Sequence, residues 1–250
     1  MQRYFINETY EEKNLFSVNG ENYHHIVRVM RMKPEDQLFL VFEDGIVILG
    51  EITEISDSEV QISEISKEEA VKELPIKVTI ACGFPKGDKL EWIVQKGTEL
   101  GAYHFIGFPA KNSIVKWDHK KKGNKAKRLE KIAQEAAEQS HRQWIPEITL
   151  VEKEQELIDQ FSIYEKVLVA YEESAKQGER STLAQTLTKM KPGEKLLIVF
   201  GPEGGFSPEE INLFEQNGGV LCGLGPRILR AETAPLYALS AVSYQFELLV

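Results

Sequence analysis

LLIVFGPEGGFSPEE (196–210) and GVLCGLGPRILRAETAP (219–235) carry the reading of this chain. The first is a buried strand, a glycine-rich corner from Gly201 to Gly205, and a short capped helix beginning SPEE. The second is another strand, then a polar segment held between Pro226 and Pro235, from which an apolar helix runs to the C-terminus. Each strand ends in a loop built for close backbone approach. Their carboxyl ends can therefore share one ligand, as in open α/β sheets.

What that ligand is follows in part by elimination. A phosphate loop needs GxxxxGK[ST] and a dinucleotide fingerprint needs GxGxxG; neither occurs here. Gly201, Gly204 and Gly205 permit positive φ and bring no Cβ between ligand and backbone. Glu203 stands where an anion site would carry lysine or bare amides, so the corner suits a neutral or cationic ligand with donor groups. Glycine turns after buried strands are often no more than tight turns. The second loop tips the balance, because Arg230, Glu232 and Thr233 lie in a segment fixed by proline at both ends.

GPEGGF (201–206) followed by LGPRILRAETAPLYAL (224–239) resembles the small-subunit ribosomal RNA uridine-N3 methyltransferases of the SPOUT class. The two motifs occur together, in the family's order and at similar spacing. The resemblance implies an α/β protein: an N-terminal PUA-like RNA-binding β-barrel, then a SPOUT domain with a deep trefoil knot. It also implies S-adenosyl-L-methionine as cofactor, 16S rRNA of the small ribosomal subunit as substrate, and a homodimer. Three loops would surround the cofactor: AYEESAKQGERS (170–181), GPEGG and PRILRAETA. The residues expected to hold it are Tyr171, Gly201, Pro202, Glu203, Gly204, Leu221, Gly223, Leu224, Ile228, Leu229, Arg230, Thr233 and Ala234.

Composition sets the class and excludes others. At 250 residues, 42% apolar and 28% charged, the chain supports one large or two modest domains with an ample core. Its net charge of −9 means that any nucleic-acid contact must come from local basic patches. The start, MQRYFINETYEE, has no apolar core of signal-peptide length, and no stretch reaches the ~20 apolar residues of a membrane helix. Cys82 and Cys222 sit in apparent strands away from any CxxC or histidine pair, which reads as buried reduced thiols in a cytoplasmic protein. The five histidines form no metal spacing, so no metal is expected.

Residues 1–70 read as a unit of short β segments, a small barrel. Its helical stretch NYHHIVRVMRMK turns Ile26, Val27, Met30 and Val29 inward and leaves Arg28, Arg31 and Lys33 outside. Basic residues on such a face are usually just solvated. The resemblance instead makes Arg3, Arg28 and Arg31 RNA contacts, the family having an RxF start and a His-His…Arg helix here. The chain departs from that pattern twice: Gln2 stands where a second arginine is usual, and Pro34-Glu35-Asp36 replaces an x-Gly-Asp turn. Residues 71–75 form a charged linker, and 76–250 alternate strands with helices, as a mostly parallel sheet requires.

In KGDKLEWIVQKGTELG (86–101), Asp88 and Glu91 make a capping-box-like start, while Leu90, Ile93, Val94, Gly97 and Leu100 face a core. Lys86, Lys89 and Lys96, with Trp92 among them, form an outer stripe that can meet RNA or another protein surface. The run from Lys116 to Lys131 is the densest basic stretch. A solvated face is the ordinary account, and its contrast with the negative total favours phosphate contact. Arg142, at the end of the helix that follows, is a further RNA candidate, with Gln139 and Ser140 beside it.

The reading is an S-adenosylmethionine-dependent enzyme methylating uridine N3 in 16S rRNA. Its alternatives are an RNA-binding or assembly protein that has lost the chemistry, and a SPOUT enzyme acting on transfer RNA. Methyl transfer is an in-line displacement, so alignment does most of the work, but the uracil imide must also lose a proton. Arg230 suits stabilisation of charge on a uracil carbonyl; Glu232 accepts the proton or holds Arg230. The helix from Pro235 to Leu249 is apolar on nearly every side, which predicts an obligate homodimer with Leu239 and Val242 in its interface.

Overall fold

The computed structural model describes residues 1–115, 117, 119–172 and 182–249. They divide into two compact units: Met1–Glu73 with Ala137–Trp144, and Leu74–Ala136 with Ile145–Val250. The fold class is the expected α/β one.

The first unit holds strands β1 (Arg3–Ile6), β2 (Phe16–Asn19), β3 (Gln37–Phe42), β4 (Val47–Ile55) and β5 (Glu59–Lys67) in the order β1-β3-β4-β5-β2. Only the β1–β3 pair is parallel. Tyr4, Phe16, Ile26, Leu40, Ile52 and Ile62 fill its core. Register shifts at Leu49/Gly50 and Ile52/Glu54 interrupt the β4–β5 ladder, which explains the imperfect alternation of β4 in sequence. A Cβ on Gly50 would lie 2.3 Å from Ile62 Cγ2, so that strand needs a glycine there.

Helix α1 (Gly20–His24) continues as a π-helical turn over His25–Val29. That wider turn moves the apolar face out of α-helical phase. Ile26 is buried as expected, but Val29 and Met30, expected inside, are exposed. Glu35, in the position where the resembled family has glycine, adopts a left-handed backbone with φ of 76°.

Two of the arginines expected on RNA hold this unit together instead. Arg3 is 1% exposed; its Nη2 donates to Glu68 Oε2 at 2.7 Å, and its guanidinium lies over the Phe39 ring. Arg142 is 2% exposed and paired with Glu73. Glu73 Oε1 also accepts from the backbone N–H groups of Gln143 and Trp144. Burial of a guanidinium is tolerated only with such partners, and a side chain so enclosed has no face for a phosphate. Glu73 thus makes the 71–75 segment an anchor as well as a connection, and it is one of several ties, with Arg3, Phe39 and Gly45, that join residues 137–144 to the first unit.

The second unit is built on six parallel strands: β6 (Lys77–Gly83), β7 (His104–Phe108), β8 (Glu147–Leu150), β9 (Lys166–Ala170), β10 (Lys195–Phe200) and β11 (Val220–Cys222). Their order is β11-β9-β10-β6-β7-β8. The middle strands read as unbroken apolar runs because both faces are covered. One face packs helix α2 (Lys89–Glu99) together with Leu129 and Ala133 of helix α3 (His119–Gln139). Helix α4 (Glu154–Ile158) packs on the other face. Leu183 and Leu187 of α5 (Thr182–Lys189) join the first cluster, and Ile211 and Phe214 of α6 (Pro208–Gln216) the second. The last helix, α7 (Thr233–Ser243), runs into a π-turn at Tyr244–Leu248. Chain leaving β10 goes to the α6 face, whereas chain leaving β11 goes to the opposite face and α7. Cys82 and Cys222 are buried, and burial pushes the Cys82 thiol up to about 12.

Candidate active site

The carboxyl ends of β11, β9 and β10 are adjacent, and a cleft of about 630 Å³ opens over them. That is the size of a small-molecule site. It is lined by the ends of β9 and β10 (Ala170, Tyr171, Glu172, Phe200), by Gly201 to Phe206, and by a third segment from Leu224 to Ala234. Of the expected cofactor residues, Tyr171, Gly201, Pro202, Glu203, Gly204, Leu224, Ile228, Leu229, Arg230 and Ala234 line it. Leu221, Gly223 and Thr233 stand behind or beside the lining. Leu221 packs against the core, Gly223 is buried, and the Thr233 N–H donates to Arg230 O at 2.9 Å. Lys116 and residues 173–181 of the first loop lie outside the described residues.

Local forces fix each wall. Ser207 and Glu210 form a reciprocal capping box at the start of α6, with Pro208 in the first turn, so the glycine corner ends on a rigid helix. Glu210 Oε1 also accepts from the Lys111 N–H at 2.7 Å, and Asn112 Nδ2 donates to Gly204 O and Gly205 O at 3.0 and 3.1 Å. Among the three corner glycines only Gly205 has positive φ, 63°. Gly201 and Gly204 sit where a Cβ would be crowded: it would lie 3.1 Å from Gly205 C in one case and 3.0 Å from Asn112 Cβ in the other. The Tyr171 N–H donates to Cys222 O, tying the first wall to the third.

Electrostatics gather on Lys89, at the start of α2. Its Nζ lies 2.8 Å from Glu203 Oε1 and 3.1 Å from Glu232 Oε2. The hydrogen bond to Glu203 is the main cause that raises the lysine's pKa. Burial pushes the Glu203 and Glu232 carboxyls upward. For Glu203 the Lys89 hydrogen bond and backbone N–H groups outweigh it; for Glu232 backbone bonding, Lys89 and Arg230 do. Both stay below the ordinary carboxylate range. Glu232 Oε2 is buried with this ion contact and no hydrogen bond. Lys89 is one of the expected RNA contacts; its ammonium is committed to two carboxylates instead.

The other expected RNA contacts divide. Arg28, Arg31 and Lys86 are exposed, and the Lys86 N–H donates to Glu203 Oε1 at 3.1 Å. Lys96 pairs with Glu99 at 2.7 Å, its Nζ 5.6 Å from the Trp92 ring. Asp88 caps α2 without a side-chain bond, and the Glu91 side chain pairs with Lys125 and Arg128 of α3. Sequence reasoning missed Arg227, exposed in the lining, and Gly83, where a Cβ would lie 2.7 Å from Pro202 Cδ. Arg227 was legible as a second arginine in PRILR; Gly83 carried no signal beyond closing an apolar strand.

The cofactor implied by the resemblance fits this cleft. A glycine cradle that admits a ligand to the backbone, beside two carboxylates that share one ammonium, suits a cationic ligand that brings donors. Among the described residues no group of histidine, cysteine and carboxylate side chains could hold a metal ion, and no helix is long and apolar enough to cross a membrane.

Comparison with known proteins defines the class. Residues 72–243 match an RNA methyltransferase domain family and residues 18–65 an RNA methyltransferase PUA domain family. The protein is an RNA methyltransferase with a PUA-like N-terminal unit. More particularly, it is 52% identical to ribosomal RNA small subunit methyltransferase E of Bacillus subtilis, over 100% of this chain and 98% of that one. The chain belongs to the ribosomal RNA small subunit methyltransferase E family. A Legionella pneumophila methyltransferase solved with bound S-adenosylmethionine is 27% identical, with a TM-score of 0.79 over 96% of both chains. The Neisseria gonorrhoeae small subunit methyltransferase E, also solved with that molecule, shares the fold at 23% identity and a TM-score of 0.82, over 97% of both chains.

Proposed function

We propose that this enzyme transfers a methyl group from S-adenosyl-L-methionine to N3 of one uridine in 16S rRNA, within the small ribosomal subunit. The observation that carries the reading is the cleft over three adjacent strand ends, with Arg230 exposed in its lining and Glu232 fixed by Lys89. When bound, the cofactor supplies an electrophilic methyl group on a sulfonium. The glycine corner and the backbone of 224–229 hold its adenosine, and Glu203 and Glu232 give the sulfonium a negative surrounding. The substrate imide gives up its N3 proton. Arg230 stabilises the anion at a uracil carbonyl oxygen. Glu232 is a weak base, since its carboxyl is held low. Its role is therefore to anchor the segment that carries Arg230, and the proton leaves to solvent.

Arg28 and Arg31, exposed on the first unit, position the RNA through phosphates. The assembly is a homodimer in the cytoplasm. Small subunits from a strain lacking the enzyme, incubated with the protein and cofactor and digested to nucleosides, test the reading by mass spectrometry. The expected product is 3-methyluridine. A methylated base or ribose of any other kind overturns the N3 assignment.

A further inference from the structure

Helix α3 carries most of the chain's concentrated positive charge, and the structure sorts all of it but Lys121 into two sets. Lys122 pairs with Glu152 at 3.1 Å, while Lys125 and Arg128 pair with Glu91 of α2. These three fasten the helix down. Lys120, Lys127 and Lys131 are exposed and make no ion pair among the described residues. Their spacing places them, with exposed Asn124, on one helical face. That face lies opposite Leu129, Ala133 and Ala136, which are buried.

We propose that this lysine stripe binds the phosphate backbone of the substrate rRNA beside the methylation cleft. The inference rests on the rRNA methyltransferase reading and adds a second RNA surface to it, distinct from the arginines of the first unit. Charge argues for the occupant. A chain with a net charge of −9 repels RNA as a whole, so a surface on which lysines stand together without carboxylate partners is where a polyanion is attracted. Reach agrees. From Lys120 to Lys131 the helix rises roughly 16 Å at 1.5 Å per residue, enough to face several phosphates at about 3.4 Å of axis per strand. Position agrees as well. Glu91, which holds α3, is two residues beyond Lys89 in the cleft lining, so the stripe lies one helix away from the site. Trp92, also on α2, is 51% exposed and offers a ring for an unstacked base.

The test is the triple variant Lys120→Gln, Lys127→Gln, Lys131→Gln. Its control removes the same charge elsewhere: Lys153→Gln, Lys166→Gln, Lys189→Gln, all exposed positions. Binding to isolated small subunits is measured from low to moderate salt. The stripe variant is expected to lower the slope of log K against log salt by roughly 2 to 3, at about 0.7–0.9 for each phosphate no longer neutralised. The control should leave it unchanged. Cofactor affinity, measured by calorimetry, should equal wild type and shows that the variant is folded. An unchanged slope in a cofactor-binding stripe variant overturns the proposal, and so does an equal fall in the control. The wild-type product is read separately. A modification other than 3-methyluridine refutes the N3 assignment and leaves the stripe result standing.

Discussion

Lys89 Nζ lies 3.1 Å from Glu232 Oε2, joining the start of α2 to the segment that carries Arg230. The same ammonium holds Glu203 of the glycine corner at 2.8 Å. One side chain therefore sets the separation of two walls of the cleft. Removing it leaves two carboxylates facing each other, one with a buried oxygen that has no hydrogen bond. Lys89→Met is expected to lower kcat/KM at least about tenfold, equivalent to roughly 1.4 kcal/mol of transition-state stabilisation. Much of the loss should fall on the KM for the cofactor, and Lys89→Arg should restore part of it. Steady-state kinetics check this; wild-type cofactor KM in Lys89→Met would remove the lysine from the site.

The same bridge sets a pH expectation. Glu203 and Glu232 have lowered folded-state pKa values, so their contribution is present above the ordinary carboxylate range and is lost as pH falls through the folded values. Lys89 has a raised value, so its contribution is complete below the ordinary lysine range and is lost as pH rises through the folded value. No member of the bridge titrates between the two ranges. Cofactor affinity should be flat from about pH 6 to about pH 9. A titration step near neutrality that survives in Lys89→Met would come from another group; one that vanishes in that variant contradicts the bridge.

The sequence announced the cleft because its walls are short motifs with local meaning: glycines after an apolar strand, and polar residues between prolines. It also announced the parallel sheet, whose buried strands are continuous apolar runs. Arg3, Lys89 and Arg142 were unreadable for the opposite reason. Their partners Glu68, Glu203, Glu232 and Glu73 belong to other elements, and nothing local separates a paired cation from a free one. The π-turn at His25–Val29 likewise has the apolar pattern of an ordinary helix, and that pattern puts Val29 and Met30 on the wrong side.

Helix α7 requires a different dimer test from the one its sequence suggests. Leu239 and Val242 are fully buried within the chain, where a charge would unfold the domain before it separated any partners. The apolar surface left over is Tyr237, Tyr244, Leu248 and Leu249, between 41% and 70% exposed. If the proposed homodimer uses this helix, Tyr244→Glu with Leu248→Glu yields a folded monomer with weakened cofactor binding. Analytical ultracentrifugation reads the mass and calorimetry the affinity. A wild-type monomer ends the dimer proposal.

Glu35 offers a stability test independent of the active site. It follows Pro34 in a tight turn before β3 and holds φ at 76°, a region that costs a residue with a Cβ about 1–2 kcal/mol. The backbone accepts this because both ends are pinned: the Glu35 N–H donates to Ile52 O at 2.8 Å, and the Asp36 N–H donates to Lys33 O at 3.1 Å. Aspartate at position 36 adds a side-chain bond to the Lys33 N–H at 2.7 Å. Glycine adopts the same conformation without the Cβ clash, though it loses more entropy on folding. Glu35→Gly should therefore stabilise the first unit by up to about 1 kcal/mol, whereas Glu35→Val, branched at Cβ, should destabilise it by more. Thermal unfolding compares the three proteins; a Glu35→Gly variant markedly less stable than wild type would show that the carboxylate supports the turn in a way its backbone geometry does not reveal.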